Sequence, residues 1–390
     1  MAKGREHLRQ RLLELGFDEV RFVGLSPGVG RGLGDWLQAG YQADMDWMER
    51  TAAKRMDPGL VLPGARSAIL LGVTYHDPEG AHGAGETRPA WARYALFEDY
   101  HDTIKPALAA AGKAVEEILG AAPTDYRYYV DTGPVLERAW AARAGMGFVG
   151  KNAMLISRRH GNWLLLSCIL CRAELEPDDP VLPRAAPESV GLLCGKCTRC
   201  LDACPTQAFP APGVLDSRRC ISYQTIENKG MIPAALREAI GLRVYGCDTC
   251  LEVCPWNRFA RQGRRLILAS RRDIAELSLE ELLELTAERF AKVFRGTAVK
   301  RIKLVGILRN ACVAAGNSGQ QRYRGHVLRL AAHASPVVRA HAVWAAKKLG
   351  ACEELEACRG AESDERVLAE YGGLPPRQPD KVLDPRVNRT

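Results

Sequence analysis

Apolar strands alternating with amphipathic helices, two closely spaced cysteine runs and a leucine-rich helical end predict three units along 390 residues. They are an α/β (α+β) domain over 1–180, a ferredoxin-like domain over 181–265 and a set of α-helical repeats over 266–374. Residues 375–390, rich in Pro, Arg and Asp, are expected to form a disordered tail. With 47% hydrophobic and 26% charged residues the composition is that of a globular domain protein, which excludes fibrous and disordered classes. The charged start leads into an amphipathic helix, so no signal peptide or twin-arginine leader is read, and the longest apolar run, Trp163 to Cys171, is too short to cross a bilayer. A monomeric cytoplasmic protein that does not enter a membrane is expected.

In the first unit, Leu8, Leu12, Leu13 and Leu15 recur at helical spacing before Gly16, and Glu19 to Val23 reads as a strand. Further strands are expected at Ser67 to Thr74, Tyr126 to Val130 and Trp163 to Leu170, with helices near Asp99 to Leu119 and Pro134 to Ala144. The run Gly28 to Gly34 resembles a dinucleotide fingerprint but lacks the third glycine in register, so a flexible loop is expected. Asp99-Tyr100-His101 begins like a corrinoid-binding histidine signature, but Ile104 stands where its glycine belongs. A cap or a satisfied core residue is the simpler role for His101. Asp131 follows an apolar strand and precedes Thr132-Gly133-Pro134 and a helix. That position suits a catalytic acid at a strand's carboxyl end and a helix cap about equally. Gly145 to Asn152 packs three glycines beside Lys151 and Asn152, either to admit a large ligand or simply to turn.

The second unit contains Cys194-x2-Cys197-x2-Cys200-x3-Cys204-Pro205 and Cys247-x2-Cys250-x3-Cys254-Pro255. The first run is the bacterial ferredoxin pattern, whose fourth cysteine binds the other cluster. Two [4Fe-4S] clusters need eight thiolates, and the second run has Val244 where its first cysteine belongs. Cys220 completes the count. One cluster is therefore assigned Cys194, Cys197, Cys200 and Cys254, and the other Cys204, Cys220, Cys247 and Cys250. Tetrahedral zinc needs neither a three-cysteine run nor Cys-Pro endings. Cys168, Cys171, Cys312, Cys352 and Cys358 are left as buried or free thiols.

The last unit has leucine-rich patterns from Ile274 to Thr286 and from Lys300 onward, and Ile307 to Ala315 recurs thirty residues later as Val337 to Ala345. Two helical hairpins of the HEAT type would explain the recurrence. From Ala291 to Gly350 there are twelve Lys or Arg and no Asp or Glu, an excess above the +8 of the whole chain. Phosphate neutralisation on a structured nucleic acid explains it, with Lys292, Arg295, Lys300, Arg301, Lys303, Arg322 and Arg324 as the densest part.

Taken together, these residues imply an iron-sulfur reductase acting on nucleic acid. The combination of Val130 to Pro134, Gly147 to Asn152, the cysteine runs, Cys220-Ile221-Ser222-Tyr223 and Gly246 to Cys250 resembles the epoxyqueuosine reductase family. The resemblance implies a cobalamin-binding first unit, related to that of reductive dehalogenases, and removal of the epoxide oxygen of epoxyqueuosine at the wobble position of tRNA. It implies Asp131 as proton donor, places Arg55, Ser222 and Asp248 near a base-off cobalamin, and extends less directly to Asn152 and Lys229. Some members carry a cysteine after the arginine matched by Arg93, where this chain has Tyr94. Electrons would come from an external flavodoxin- or ferredoxin-type donor, and burial against the corrin is expected to keep Asp131 protonated. The competing readings are a reductive dehalogenase, which has no use for an acid-free stretch, and a two-cluster electron carrier, for which the first unit would be superfluous.

Overall fold

The computed structural model describes residues 2–26, 28–30, 32–77, 88–181, 189–263 and 268–372, so the predicted tail lies outside the described residues. Its strands are β1 (Glu19–Gly24), β2 (Ser67–Thr74), β3 (Ala90–Trp91), β4 (Tyr126–Val130), β5 (Gly147–Val149), β6 (Leu155–Ser157), β7 (Leu164–Cys171) and β8 (Arg243–Tyr245). Four of them form a sheet in the order β1-β2-β7-β4. Every pairing in it is antiparallel. The first unit is therefore α+β, and the rule that places chemistry at the carboxyl ends of parallel strands does not apply to Asp131.

The side-chain period of two explains the layers around this sheet. Ile69, Leu71 and Val73 face Leu8, Leu12, Ile104, Leu108 and Val115, which come from the helices Ala2–Glu14 and Tyr100–Leu119. Ala68 and Leu70 face Trp140, Ala141 and Ala142 of the helix Glu137–Arg143. Both faces are covered, and β2 is buried at all eight positions. The Tyr100–Leu119 helix is capped by the Asp99 side chain, which accepts from the His101 backbone N–H, and ends at Gly120 in the left-handed conformation. The glycine-rich stretch expected as a loop gives way to a helix at Gly32–Gln38.

β3 leaves the first unit and pairs in parallel with β8, just ahead of Cys247. Val244 is fully buried in that strand, within a core that also holds Ala95, Ile226, Tyr245 and Phe294. An apolar residue is needed there, which explains the missing cysteine. The Ile274 to Thr286 pattern breaks into the short helices Arg272–Ala275 and Leu279–Leu283, the latter closed by a Ser278/Glu281 capping box. The recurring nine-residue motif forms the interiors of two helices packed on each other, Lys303–Ser318 and Pro336–Lys348.

Helix Lys303–Ser318 is bonded to the segment after Cys220, where Tyr223–Glu227 forms a π-helix. Arg309, 1% exposed, donates to the carbonyls of Asn228 (2.6 Å), Gly230 (3.0 Å) and Gln224 (2.8 Å). Asn310 donates to those of Thr225 and Val244, both at 2.8 Å. Burial lowers the guanidinium pKa to about 10, so the charge survives at neutral pH. Replacing Arg309 by Leu strands three buried carbonyls and should cost about 3 kcal/mol, read as a lowered urea midpoint.

Candidate active site

Asp131 sits just past β4 with φ of 57°, a left-handed turn that only a few non-glycine residues adopt readily, Asp and Asn among them. The turn is held from below, because a Cβ at Gly133 would lie 2.3 Å from the Tyr129 ring. The Tyr100 hydroxyl donates to Asp131 Oδ2 at 2.8 Å, and His101 Nε2 lies 3.5 Å from the same oxygen. On the other side of the imidazole, Asp99 Oδ1 is 2.8 Å from Nδ1. The Tyr100 and His101 rings stack with centroids 4.0 Å apart.

Solvent reaches the Asp131 side chain, which is 57% exposed, yet protein crowds it enough for burial to act on its ionisation. Burial alone would raise its pKa. The bonds from His101 and Tyr100 and the charges of His101 and Arg301 outweigh that and lower it. In the protein alone the balance therefore lowers the Asp131 pKa, and burial against a corrin would be a further contribution of opposite sign. The proton sits on His101, where burial is outweighed by Asp131 and Asp99 and the pKa rises to about 9.

The solvent-facing side of Asp131, with protein packed close around it, is a candidate chamber for a ligand. Arg138 has the same character: its side chain is exposed and donates to the Ala153 carbonyl at 2.7 Å, yet burial lowers its pKa. Arg55 is on the same side, with Nε on Thr51 Oγ1 at 2.9 Å and Nη1 3.4 Å from the Val135 carbonyl. Glu137 is pushed to about 8 by burial, with Asp131 adding and Arg55 and Arg138 opposing. Its Oε1 and the Nε of Arg93 are buried without a hydrogen-bond partner. The orphaned Glu137 Oε1, close enough to Asp131 to feel its charge, fits a polar ligand such as a corrin with its amide side chains. Asp248, raised to about 6 by burial, accepts from the Arg93 backbone N–H at 2.6 Å. Ser222 is half-buried at the start of the π-helix.

Asn152 and Lys229 both make hydrogen bonds within the protein. Asn152, 3% exposed, donates to Asn162 Oδ1 (2.9 Å) and the Cys250 carbonyl (3.3 Å) and accepts from the Met154 N–H (3.2 Å). Asn162 is in turn bonded to Asn257 at 3.0 Å. These amides bolt the turn between β5 and β6 to the segment that carries Cys250. Lys229 spends its ammonium on the Ile226 carbonyl at 2.6 Å.

The cysteines fall into two neighbourhoods. Burial raises the Cys194 pKa, and the nearby thiolates of Cys254 and Cys197 add to it; Cys200, pushed to about 11, has Cys194 and Cys254 as neighbours. Burial likewise brings Cys220 to about 11, with Cys247 and Cys204 beside it, and Cys250 is raised by burial and by Cys247, Cys220 and Cys204. Among the described residues no three His, Cys, Asp or Glu converge as on a single ion. A four-iron cube instead places one thiolate on each iron. All thirteen cysteines are free of disulfides. Cys204 Sγ accepts from the Ala208 N–H at 3.3 Å, the kind of bond that tunes a cluster's potential.

The acid-free stretch is less bare in space than along the chain. Arg301 pairs with Glu227 (2.8 Å), Arg324 with Glu354, Arg329 with Glu284 (3.5 Å), Arg339 with Glu362 (2.6 Å) and Lys348 with Glu238 (2.6 Å), each acid lying outside the stretch. Arg322 bonds to the Tyr323 hydroxyl at 2.7 Å. Lys292, Arg295, Lys300 and Lys303 remain exposed. Arg301 also acts on Asp131, which ties the helical unit to the chamber.

Two family models match: a "4Fe-4S double cluster binding domain" over residues 193–257 and "Epoxyqueuosine reductase QueG" over residues 55–132. The epoxyqueuosine reductase of Gloeobacter violaceus is 38% identical over 336 residues, 84% of this chain and 100% of its own length. The chain belongs to the epoxyqueuosine reductase family. It is an oxidoreductase of queuosine biosynthesis that carries two 4Fe-4S clusters. A crystal structure of an epoxyqueuosine reductase with a tRNA-Tyr epoxyqueuosine-modified stem loop is similar with TM-score 0.83 at 30% identity, covering 95% of this chain and 97% of that one. The Bacillus subtilis epoxyqueuosine reductase, at TM-score 0.81, 30% identity and 95% and 98% coverage, has been solved with its catalytic aspartate loop swung out of the active site. Membership of the family sets aside the dehalogenase and free-carrier readings. Among the described residues no helix is long and apolar enough to cross a membrane.

Tyr100, Glu137 and Arg138 were not assigned roles from the sequence. For Tyr100 a signal exists, since the Asp99 cap fixes the first turn of its helix and so aims the next two side chains together.

Proposed function

We propose that the chamber beside Asp131 holds base-off cobalamin between the first unit and the cysteine domain, and that this chain reduces epoxyqueuosine at the wobble position of tRNA there. The observation that carries this reading is the Asp131 turn, a carboxylate both crowded and wet with Tyr100 and His101 upon it. A bound cobalamin would supply reduced cobalt as the electron source for the epoxide carbon. Arg55, Ser222 and Asp248 would hold the cofactor, and His101, with Nδ1 2.8 Å from Asp99 Oδ1 and Nε2 turned toward Asp131, is assigned no part in holding it. Asp131 would protonate the departing oxygen, and Tyr100 would orient its carboxylate.

Electrons would enter at the cluster of Cys194, Cys197, Cys200 and Cys254 and leave from that of Cys204, Cys220, Cys247 and Cys250. The second set follows β8, whose Tyr245 reaches the chamber through Tyr94 and Tyr100, with ring centroids 6.1 and 6.0 Å apart. The solved relative with a modified tRNA stem loop supports tRNA as the substrate. HEAT-like helices would present Lys292, Arg295, Lys300, Lys303 and Arg322 to its phosphates, while Arg301 and Arg324 would first have to leave their carboxylates.

Incubating the reduced holoprotein with epoxyqueuosine-containing tRNA, followed by nucleoside mass analysis, should show loss of one oxygen atom. Unchanged nucleoside in the presence of cobalamin and both clusters would overturn the reading. Replacing Lys300 and Lys303 by Glu should weaken stem-loop binding and lower the slope of log affinity against log salt by about two.

A further inference from the structure

We propose that His101 is a positioning residue that delivers protons to Asp131 during turnover, with Asp99 holding its ring; this rests on Asp131 being the proton donor. The chemistry asks for such a residue. Turning an epoxide into an alkene breaks two carbon–oxygen bonds, forms one carbon–carbon double bond and releases the oxygen as water. Two electrons and two protons are consumed. A single carboxyl group supplies one proton and must then be reloaded at the same place.

The geometry points to a source held in place beside the carboxylate. Asp99 Oδ1, 2.8 Å from Nδ1, fixes the ring so that Nε2 faces Asp131 Oδ2 at 3.5 Å. Nε2 is buried without a hydrogen-bond partner at bonding distance, so closing that gap is the contact left to it. The imidazole is stacked on Tyr100 and only 16% exposed, which limits it to this track. Tyr100 donates to the same oxygen and orients it, and burial and the Asp131 charge raise its pKa, which makes it a weaker acid than the imidazolium. The charged and titratable groups facing the pair are Asp99, Tyr100 and Lys105 on the same helix and its cap, Asp131 beyond β4, Glu137 on the next helix and Arg301 on the helical unit. Their sum leaves the imidazole protonated below about pH 9 and the Asp131 carboxylate ionised.

The step balances. As negative charge develops on the substrate oxygen, the Nε2 proton passes to Asp131 and from Asp131 to that oxygen, leaving neutral imidazole and a carboxylate. Solvent at the exposed Asp131 carboxylate returns a proton through it to Nε2, and a second passage releases the oxygen as water.

The test combines two readouts on the full-length protein. In the absence of cobalamin, imidazole NMR titration should place His101 near pH 9, falling toward about 6.5 in Asp131→Asn and in Asp99→Asn. With cobalamin and reduced clusters, His101→Gln should lower kcat about a hundredfold with KM for tRNA unchanged, and Asp99→Asn should move the alkaline limb of the pH profile downward. Wild-type His101 titrating at its ordinary value would overturn the proposal. So would His101→Gln turning over at the wild-type rate while Asp131→Asn is inactive, a result that leaves Asp131 as the donor. Full activity in Asp131→Asn would instead remove the reading on which the proposal rests.

Discussion

Asp131→Asn should lower turnover 10²–10⁴-fold, roughly the span that general acid catalysis contributes, while tRNA and cobalamin binding stay at wild-type levels. The substitution isolates the proton. Asn tolerates the left-handed φ of 57° as Asp does, so the turn between Val130 and Gly133 is retained. The Tyr100 hydroxyl still finds an oxygen to donate to, and the side-chain volume is the same. What disappears is a group able to pass a proton on. Single-turnover measurement with the prereduced protein separates this loss from slow electron delivery. Wild-type rates in that assay would take Asp131 out of the mechanism.

Cys220→Ala should stop turnover at an earlier stage. With Val244 committed to the apolar core, the set of Cys204, Cys247 and Cys250 has Cys220 as its fourth thiolate. Loss of that ligand should reduce bound iron from about eight to about four atoms per chain and remove one of two electron paramagnetic resonance signals. Turnover with an external reductant should fall below detection. Affinity for the tRNA stem loop should change by less than about twofold, because the basic helices are untouched. Retention of both clusters would show that another residue completes the second cube.

The cysteine neighbourhoods were legible because ligand spacing is a property of a short piece of chain. The strands were legible for the same reason, as apolar runs bounded by turns. Their directions were not, since nothing within β4 or β7 records which way its neighbour runs. Asp131 could be singled out as an acid after a strand, but its proton state depends on Tyr100 and His101, thirty residues upstream, and on Arg301 in another unit. The acid-free stretch misled in an instructive way: carboxylates from elsewhere reach Arg301, Arg324, Arg329, Arg339 and Lys348, so a charge count along the chain overstates the free charge on the surface. Only the family resemblance places Asn152 near a cofactor. Its amide network with Asn162 and Asn257 exists only once distant segments meet.

The parallel pairing of Ala90–Trp91 with Arg243–Tyr245 has a consequence for biogenesis. From Ala90 to Arg243 the separation is 243 − 90 = 153 residues. At about 5–20 residues per second, the ribosome needs roughly 8–30 s to deliver the second strand after the first. Throughout that interval the early strand lacks β8, and Ala95 has no core to enter. The junction between β3 and β8 therefore closes only after most of the chain has been made, and iron insertion at Cys247 and Cys250 falls in the same late window.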